Sequence, residues 1–197
     1  MFPVTLDLTG RTVVVVGYGA VGRRKAAAAQ AAGADVRVVA PEVNEPYHPD
    51  HLAGAALVFA CAPPEVNARV VADARADNIW VNSASDPAAG DFTLPAVLPV
   101  GGLWVAVSTG GAAPGLARRV RDRLAAQFDT TFAAWVELLN EMRREVLAAV
   151  PDPARRRELL DGFADWPWLD RLRAEGAEAV RAAMRELVSA ARGPPPL

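Results

Sequence analysis

Three glycines, Gly17, Gly19 and Gly22, follow the apolar run Arg11–Val16 at a spacing that suits phosphate chemistry. In this spacing the first glycine permits a tight turn, the second leaves room for a diphosphate beside the backbone, and the third lets a helix pack close to the strand. The N–H groups at the start of that helix then face the anion. The predicted cofactor-binding loop comprises Gly17, Tyr18, Gly19, Ala20, Val21 and Gly22.

The elements around this loop form the βαβ unit that a dinucleotide site requires. Arg11–Val16 is typical of a strand buried on both faces of a parallel sheet, because most of its residues are β-branched. A helix is predicted over Ala20–Ala32, with Gly33 as its cap. A second strand is predicted over Asp35–Ala40, and Pro41 ends it. We therefore expect a Rossmann-like parallel sheet in the first part of the chain.

The end of the second predicted strand bears on the choice of nicotinamide cofactor. The acidic residue that would hold the ribose hydroxyls is missing, since Val39, Ala40 and Pro41 occupy its position. No arginine follows immediately to receive a 2′-phosphate, so NAD is favoured over NADP. Pro41 is accordingly expected to border the cofactor.

The pattern along the chain changes near residue 113. Before it, one helix is predicted over Pro64–Asp77. Short strands are predicted over Ala55–Ala60, Ile79–Asn82, Phe92–Val97 and Leu103–Ser108. After Pro114, apolar residues recur at helical spacing, with a turn at Trp166–Trp168 and a last helix over Leu169–Ala191. The expected fold class is α/β, with an α/β domain over residues 1–113 and a helical region over 114–197.

Composition excludes several classes of protein. The 197 residues are 52% hydrophobic and 22% charged, and the net charge is −2, which is typical of a globular protein and not of a disordered or nucleic-acid-coating chain. The single cysteine, Cys61, cannot form an intrachain disulfide, which fits a reducing compartment. We see neither a secretory signal pattern nor about 18 consecutive apolar residues, so we expect a cytoplasmic protein that does not span a membrane.

A second strand–loop–helix junction also suits an anion. Ser108, Thr109, Gly110 and Gly111 supply hydroxyls and free backbone N–H groups, and the helix after them carries Arg118 and Arg119, which suit carboxylates. From the residues alone two interpretations stay open: a binding site for an anionic substrate, or a solvated amphipathic helix behind a glycine turn.

Several segments together resemble one known family. They are Pro3–Leu8, the glycine loop with Arg24-Lys25, Glu65–Asn67, Asn82 with Asp86-Pro87, Phe92–Ala96, and Ser108–Gly111 through Pro114–Arg118. In this order they are similar to the precorrin-2 dehydrogenases, the family of siroheme-synthase amino-terminal regions. The resemblance extends over roughly residues 2–125, and the serine–threonine–glycine segment is its most specific part.

The resemblance implies a function and partners. Members oxidise the tetrapyrrole precorrin-2 to sirohydrochlorin with NAD, as homodimers whose later helices pack between subunits. Some also insert iron as sirohydrochlorin ferrochelatases, which makes ferrous iron a further candidate partner. Residues 114–197 would then be a dimerisation and helical domain. The substrate-binding residues would be Ser108, Thr109, Gly110, Gly111, Arg118 and Arg119, because the substrate is a polycarboxylate.

The chain departs from the family pattern where catalysis is expected. The family's key aspartate lies three residues after the asparagine that corresponds to Asn82, and Ser85 stands there instead. Asp86 is the nearest carboxylate, but neighbouring side chains of an extended segment point to opposite faces. Ser85 and Asp86 are both retained as catalytic candidates. Cys61 replaces a more polar residue beside the cofactor, and we count it among the cofactor contacts.

The loop after the second strand, the glycine loop and the two histidines allow further interpretations. The connection Pro41–Leu52 is shorter than the family's, which predicts the loss of one strand and part of a helix from the sheet. The glycine loop also resembles those of NAD-binding potassium-transport regulators, which lack the Ser108–Arg119 junction, and Ser85 leaves room for a member that has lost catalysis. His48 and His51 are spaced like two metal ligands, although a solvated loop is the favoured interpretation, and no metal site is predicted.

Overall fold

The computed structural model describes residues 2–43 and 46–192, and the chain divides into two compact units. The first unit runs to Leu94 and includes Gly110–Ala112, and the second comprises Pro95–Thr109 and the described residues from Ala113 to 192. The strands between 96 and 107 pair with each other and not with the first sheet. The division into two domains near residue 113 stays a prediction.

The first unit is built on a four-stranded parallel sheet. Its strands are β1 (Thr12–Val16), β2 (Asp35–Val39), β3 (Leu57–Ala60) and β4 (Trp80–Ser83), in the order β2-β1-β3-β4. Helix α1 (Ala20–Ala31) packs against β1, β2 and β3, and helix α2 (Pro64–Ala76) against β3 and β4. The α/β class and the parallel sheet predicted from the apolar runs are confirmed.

Both faces of this sheet are buried, as continuous valine runs require. Val13 and Val15 pack with Ala26 and Ala29 of α1 on one face, in a cluster that also contains Phe59. On the other face, Val14 and Val16 join a cluster that includes residues of α2. Because the strands are parallel, all four carboxyl ends meet at one edge of the sheet, where α/β proteins bind ligands.

The short connection after β2 has the predicted consequence. In the usual doubly wound order a further strand lies outside the second one. Here β2 is the edge of the sheet in the described residues, and two 3₁₀ turns, Pro41–Val43 and Pro49–Leu52, lie between β2 and β3.

The second unit begins with an antiparallel hairpin of β5 (Ala96–Val100) and β6 (Leu103–Val107), joined at Gly101–Gly102. Helix α3 (Pro114–Ala125) packs on both strands. The prediction of a strand from residue 92 was wrong for 92–95, because the Phe92 ring packs on Phe59 of the first sheet and does not join the hairpin.

Four further helices complete the second unit: α4 (Thr130–Ala149), α5 (Pro153–Phe163), α6 (Trp166–Glu175) and α7 (Ala177–Ala190). Their core contains the fully buried Met142 and Met184. Two differences from the sequence analysis appear here. The predicted Trp166–Trp168 turn is the first turn of α6, and the predicted single last helix is interrupted at Gly176, whose φ of 84° ordinary residues avoid. No helix of the described residues is both long and apolar enough to cross a bilayer.

Candidate dinucleotide and substrate site

The glycine loop lies where three strands meet at the carboxyl edge of the sheet. The Gly17 N–H donates to Val39 O at 2.8 Å, and the Cys61 N–H donates to Val16 O at 2.7 Å. These bonds join the ends of β1, β2 and β3. The loop, Pro41 and Cys61, all predicted as cofactor contacts, therefore lie at the ends of the three strands that a dinucleotide crosses in such folds.

Two of the three glycines are required by the fold itself. Gly17 has a φ of 95°, and a Cβ there would lie 2.5 Å from Cys61 O. A Cβ on Gly22 would lie 2.0 Å from Gly17 O. Both distances are far below contact distance, so the tight turn and the close approach of α1 depend on these glycines.

Gly19 differs from the other two glycines, because the space beside its Cα is open and could hold part of a dinucleotide. A Cβ at Gly19 would meet no atom within 4 Å. Gly19 is the N-cap of α1, no side chain caps the helix, and no acidic residue lies in its first turn. Ala20 and Val21 are exposed, so the free N–H groups of this turn are open to an anion. The loop therefore fits a diphosphate laid over Gly19.

Tyr18 fixes the direction of a basic side chain beside the loop. Its ring packs partly against the core of the first unit. The Arg23 guanidinium carbon lies 5.7 Å from the centre of that ring. Arg23 is thereby held back towards the glycine loop, where positive charge favours an anion.

A lysine lies buried beneath the same edge of the sheet. Lys25 is 8% exposed, and its Nζ donates to Asn82 Oδ1. The Asn82 Nδ2 in turn donates to Phe92 O at 2.7 Å. Burial lowers the pKa of Lys25, since removal from water disfavours the ammonium. The same effect raises the pKa of the neighbouring Cys61 thiol, with Lys25 acting in the opposite direction. A raised pKa makes Cys61 a poor nucleophile.

Asn67 links the cofactor side of the site to Ser85. It is 1% exposed, accepts from the Ala62 N–H through Oδ1 at 2.9 Å and donates to Ser85 Oγ through Nδ2 at 2.9 Å. Ser85 is thus held against the segment that follows β3. Its hydroxyl has no histidine or carboxylate among its described hydrogen-bond partners, so nothing there activates it as a base.

Asp86 points to a different place from Ser85, as the alternation of side chains predicts. It lines a pocket of about 470 Å³ whose other walls are formed by residues 87–93 and by Gly110 and Gly111. The Asp86 Oδ1 accepts from the Ala88 N–H at 3.1 Å, which orients the carboxylate. The structure therefore brings Asp86 together with Gly110 and Gly111, three residues that sequence analysis assigned to catalysis and substrate binding.

The remaining predicted substrate contacts lie in the second unit. Thr109 Oγ1 accepts from the Ala113 N–H at 3.0 Å and so shapes the turn before α3, while Ser108 is exposed. Arg118 and Arg119 are exposed on α3, and neither forms an ion pair with another described residue. Their role in substrate binding stays a prediction.

The two histidines have a local role. The His51 Nδ1 accepts from the His48 N–H at 2.9 Å, and the His48 Nδ1 accepts from the Asp50 N–H at 3.4 Å. These bonds cap the 3₁₀ turn Pro49–Leu52. Among residues 2–43 and 46–192, no group of three or more histidine, cysteine or acidic side chains is arranged to hold a metal ion.

Four residues near the site were not predicted to belong to it. Asn67, Asn82 and Lys25 belonged to the resembling segments but received no role, and Asp91 was not singled out. Asp91 lines the same pocket as Asp86, and its Oδ2 accepts from the Val81 N–H at 2.9 Å. Buried polar residues inside apolar segments were the available signal for the two asparagines, because such groups need partners.

Comparison with known proteins agrees with this geometry. Residues 4–96 match a family described as "Putative NAD(P)-binding", and residues 100–127 match one described as "Sirohaem biosynthesis protein central". The chain is 34% identical to siroheme synthase of Gluconacetobacter diazotrophicus, over 97% of this chain and 45% of that protein. It is 36% identical to siroheme synthase of Pseudomonas putida, over 91% of this chain and 42% of that protein.

A solved structure is also similar. The precorrin-2 dehydrogenase SirC superposes with a TM-score of 0.78 at 26% identity, covering 96% of this chain and 100% of that one. The chain spans less than half the length of the siroheme synthases it matches.

The parallel sheet, the glycine loop and the match over residues 4–96 define a dinucleotide-binding protein of the Rossmann type. With the central region and the relatives added, the family is defined as well. The chain belongs to the precorrin-2 dehydrogenase family, to which part of each siroheme synthase is also similar.

Proposed function

We propose that this protein oxidises precorrin-2 to sirohydrochlorin with NAD in siroheme biosynthesis. The observation that carries the proposal is the pairing, within one unit, of the open glycine loop with a pocket that holds the Asp86 carboxylate. The similarity to a precorrin-2 dehydrogenase and to siroheme synthases supports the choice of substrate. A potassium-transport regulator would not account for the match over residues 100–127.

The reaction removes two hydrogens from the tetrapyrrole. One C–H bond breaks with transfer of a hydride, and a proton leaves from the same substrate, which gives sirohydrochlorin, NADH and one proton. NAD, when bound, supplies the hydride acceptor. The chain's own task is to orient the two molecules and to receive the proton.

Asp86 is the residue that we assign to the proton. Its carboxylate lies at the pocket surface, oriented by the Ala88 N–H, so one oxygen remains free to accept. Ser85 is assigned a positioning role, because Asn67 already holds its hydroxyl. The loop residues Gly17–Gly22 would hold the diphosphate, with Pro41 and Cys61 bordering the rest of the cofactor.

The substrate carboxylates need cationic partners, and we assign these to Arg118 and Arg119. Both arginines are exposed and without a described ion pair. Ser108, Thr109, Gly110 and Gly111 would supply hydroxyl and N–H donors to the same substrate. In this proposal residues 1–113 bind NAD and also supply Ser108–Gly111 to the substrate and β5 and β6 to the dimer, and residues 114–197 form the rest of the dimerisation and helical domain. The proposed site of action is the cytoplasm, and ferrous iron is a further substrate to be tested.

The homodimer is proposed from the small layer formed by β5, β6 and α3. Two strands and one helix bury little core, and Trp104 and Leu116 are 67% and 55% exposed there. A second copy of the chain would cover this apolar surface. Trp104→Glu is expected to convert a dimer to a monomer in analytical ultracentrifugation, whereas a monomeric wild type would contradict the assignment.

Turnover of active-site variants tests the proposed chemistry. Asp86→Asn retains an oxygen for the Ala88 N–H but cannot take a proton, so kcat is expected to fall by about 100-fold or more. Ser85→Ala is expected to lower kcat by less than about threefold, since only a positioning hydrogen bond is lost. An unchanged kcat in Asp86→Asn would remove the catalytic assignment.

A further inference from the structure

One basic residue of the chain, Lys25, differs from all the others in type. Lys25 is the single lysine among 21 basic residues, and all the others are arginine. It is also the single basic side chain that is buried in the part of the chain described. Wherever a basic residue faces solvent, this chain uses arginine. The one buried position is thus occupied by a compact ammonium, which needs fewer acceptors than a guanidinium fork.

The surroundings of Lys25 are unusual for a buried lysine. Its Nζ donates to Asn82 Oδ1 and lies 5.2 Å from the centre of the Phe59 ring, with the Cys61 thiol beside it. Its described surroundings include no carboxylate that would pair with it. Lysine is almost never buried without a paired charge. A purely apolar side chain would fill this place at lower energetic cost, so packing alone does not explain the lysine.

The hydrogen bonds lead from Lys25 to the wall of the pocket. Asn82 accepts from Lys25 and donates to Phe92 O at 2.7 Å, and the Phe92 ring lies 5.8 Å from that of Phe59. Phe92 lines the pocket between Asp91 and Thr93. Hydrogen bonds between buried groups thus connect α1, which follows the cofactor loop, with residues 91–93 of the pocket wall.

We propose that Lys25 and Asn82 are positioning residues that fix the pocket wall 91–93 with respect to the cofactor helix. This inference rests on the proposed function, because the wall matters only if substrate and cofactor must be aligned. Hydride transfer is sensitive to misplacement of about 1 Å, so a small shift of the wall is enough to slow it.

Two substitutions remove different hydrogen bonds of the series that joins Lys25, Asn82 and Phe92. Asn82→Asp keeps an acceptor for Lys25, and pairs with its charge, but loses the donor to Phe92 O. Lys25→Met keeps the length of the side chain and removes the donor to Asn82. Arg24→Met is the matched control, because Arg24 is the exposed neighbour on the same helix. If Lys25→Met does not fold, Asn82→Asp carries the test, since it retains the contact with Lys25.

The first readout does not depend on turnover. Hydrogen–deuterium exchange of the peptide spanning residues 88–95 is expected to be roughly tenfold faster in Asn82→Asp and Lys25→Met than in wild type and Arg24→Met. The affinity for NAD is expected to change by less than about threefold, because a Cβ at Gly19, where the diphosphate is assigned, would meet no atom within 4 Å, Lys25 included. Unchanged exchange in Asn82→Asp would overturn the inference.

The second readout is steady-state kinetics with precorrin-2. The expected result is a fall of roughly tenfold in kcat/KM for precorrin-2 with little change in the KM for NAD, which a general loss of fold stability would not produce. Equal effects on both substrates would overturn the positioning role. If the wild-type protein does not oxidise precorrin-2, the proposed function fails, while the exchange measurement still decides whether Lys25 and Asn82 fix the wall.

Discussion

Replacing Gly19 by alanine separates cofactor binding from folding. The added Cβ meets no atom within 4 Å, and the φ of −66° at Gly19 is one that alanine adopts readily. Reduced freedom of the unfolded chain stabilises the protein by about 0.4–1 kcal/mol. The poorer N-cap offsets a similar amount, so the free energy of unfolding is expected to change by less than about 1 kcal/mol.

The same methyl group occupies the space that we assign to the diphosphate. Overpacking of a well-fitted contact costs about 1–3 kcal/mol. The dissociation constant for NAD is therefore expected to rise by roughly 5- to 150-fold. Isothermal titration calorimetry measures this change, and thermal melting in the absence of NAD shows whether the fold is intact.

Two other glycines supply the comparison. Gly162→Ala adds a Cβ in α5 that also meets nothing within 4 Å, so it should alter neither the fold nor NAD binding. Gly22→Ala forces a contact of 2.0 Å with Gly17 O and should lower the free energy of unfolding by about 3 kcal/mol or more. The reasoning is refuted if Gly19→Ala binds NAD as tightly as the wild type.

Two further substitutions test the fold. Gly176→Ala places a Cβ at a φ of 84° between α6 and α7, and is expected to lower the free energy of unfolding by about 1–3 kcal/mol in urea titration without weakening NAD binding. Tyr47→Phe removes the hydrogen bond that Tyr47 Oη donates to Asp73 Oδ2 at 2.8 Å, and is expected to lower it by about 1 kcal/mol at neutral pH. Burial and that bond raise the pKa of Tyr47 above its usual value. The difference in free energy of unfolding between the wild type and Tyr47→Phe is therefore complete below about pH 10 and diminishes as the pH rises further. A constant difference between the two proteins across that range would contradict this account of Tyr47.

The sheet and its cofactor loop could be predicted because local sequence determines them. Continuous valine runs specify strands buried on both faces, and the spacing of Gly17, Gly19 and Gly22 specifies the turn between β1 and α1. The shortened connection after β2 likewise predicted the missing strand, since too few residues remain to form it.

Long-range contacts explain what the sequence did not predict. Phe92 lies in an apolar segment typical of a strand, but its ring contact with Phe59 and its bond from Asn82 keep it with the first unit. The break at Gly176 also escaped prediction, because a single glycine inside a helical pattern is compatible with a continuous helix.

Part of the candidate site, too, could be predicted from the sequence, and part could not. Ser85 and Asp86 were both retained as catalytic candidates, because Ser85 holds the position of the family's aspartate and Asp86 is the nearest carboxylate, although its side chain was expected on the other face. The structure separates them, since Asn67 binds Ser85 whereas Asp86 lines the pocket with Gly110 and Gly111.

Simultaneous measurement of both products tests the proposed function most directly. Purified protein is mixed with precorrin-2 and NAD, and the absorbance of NADH and of sirohydrochlorin is followed in one sample. Catalytic and equimolar formation of the two products is the predicted result, with no sirohydrochlorin formed beyond the control without enzyme when NAD is omitted. Failure to form either product, under conditions where a known precorrin-2 dehydrogenase forms both, would contradict the account.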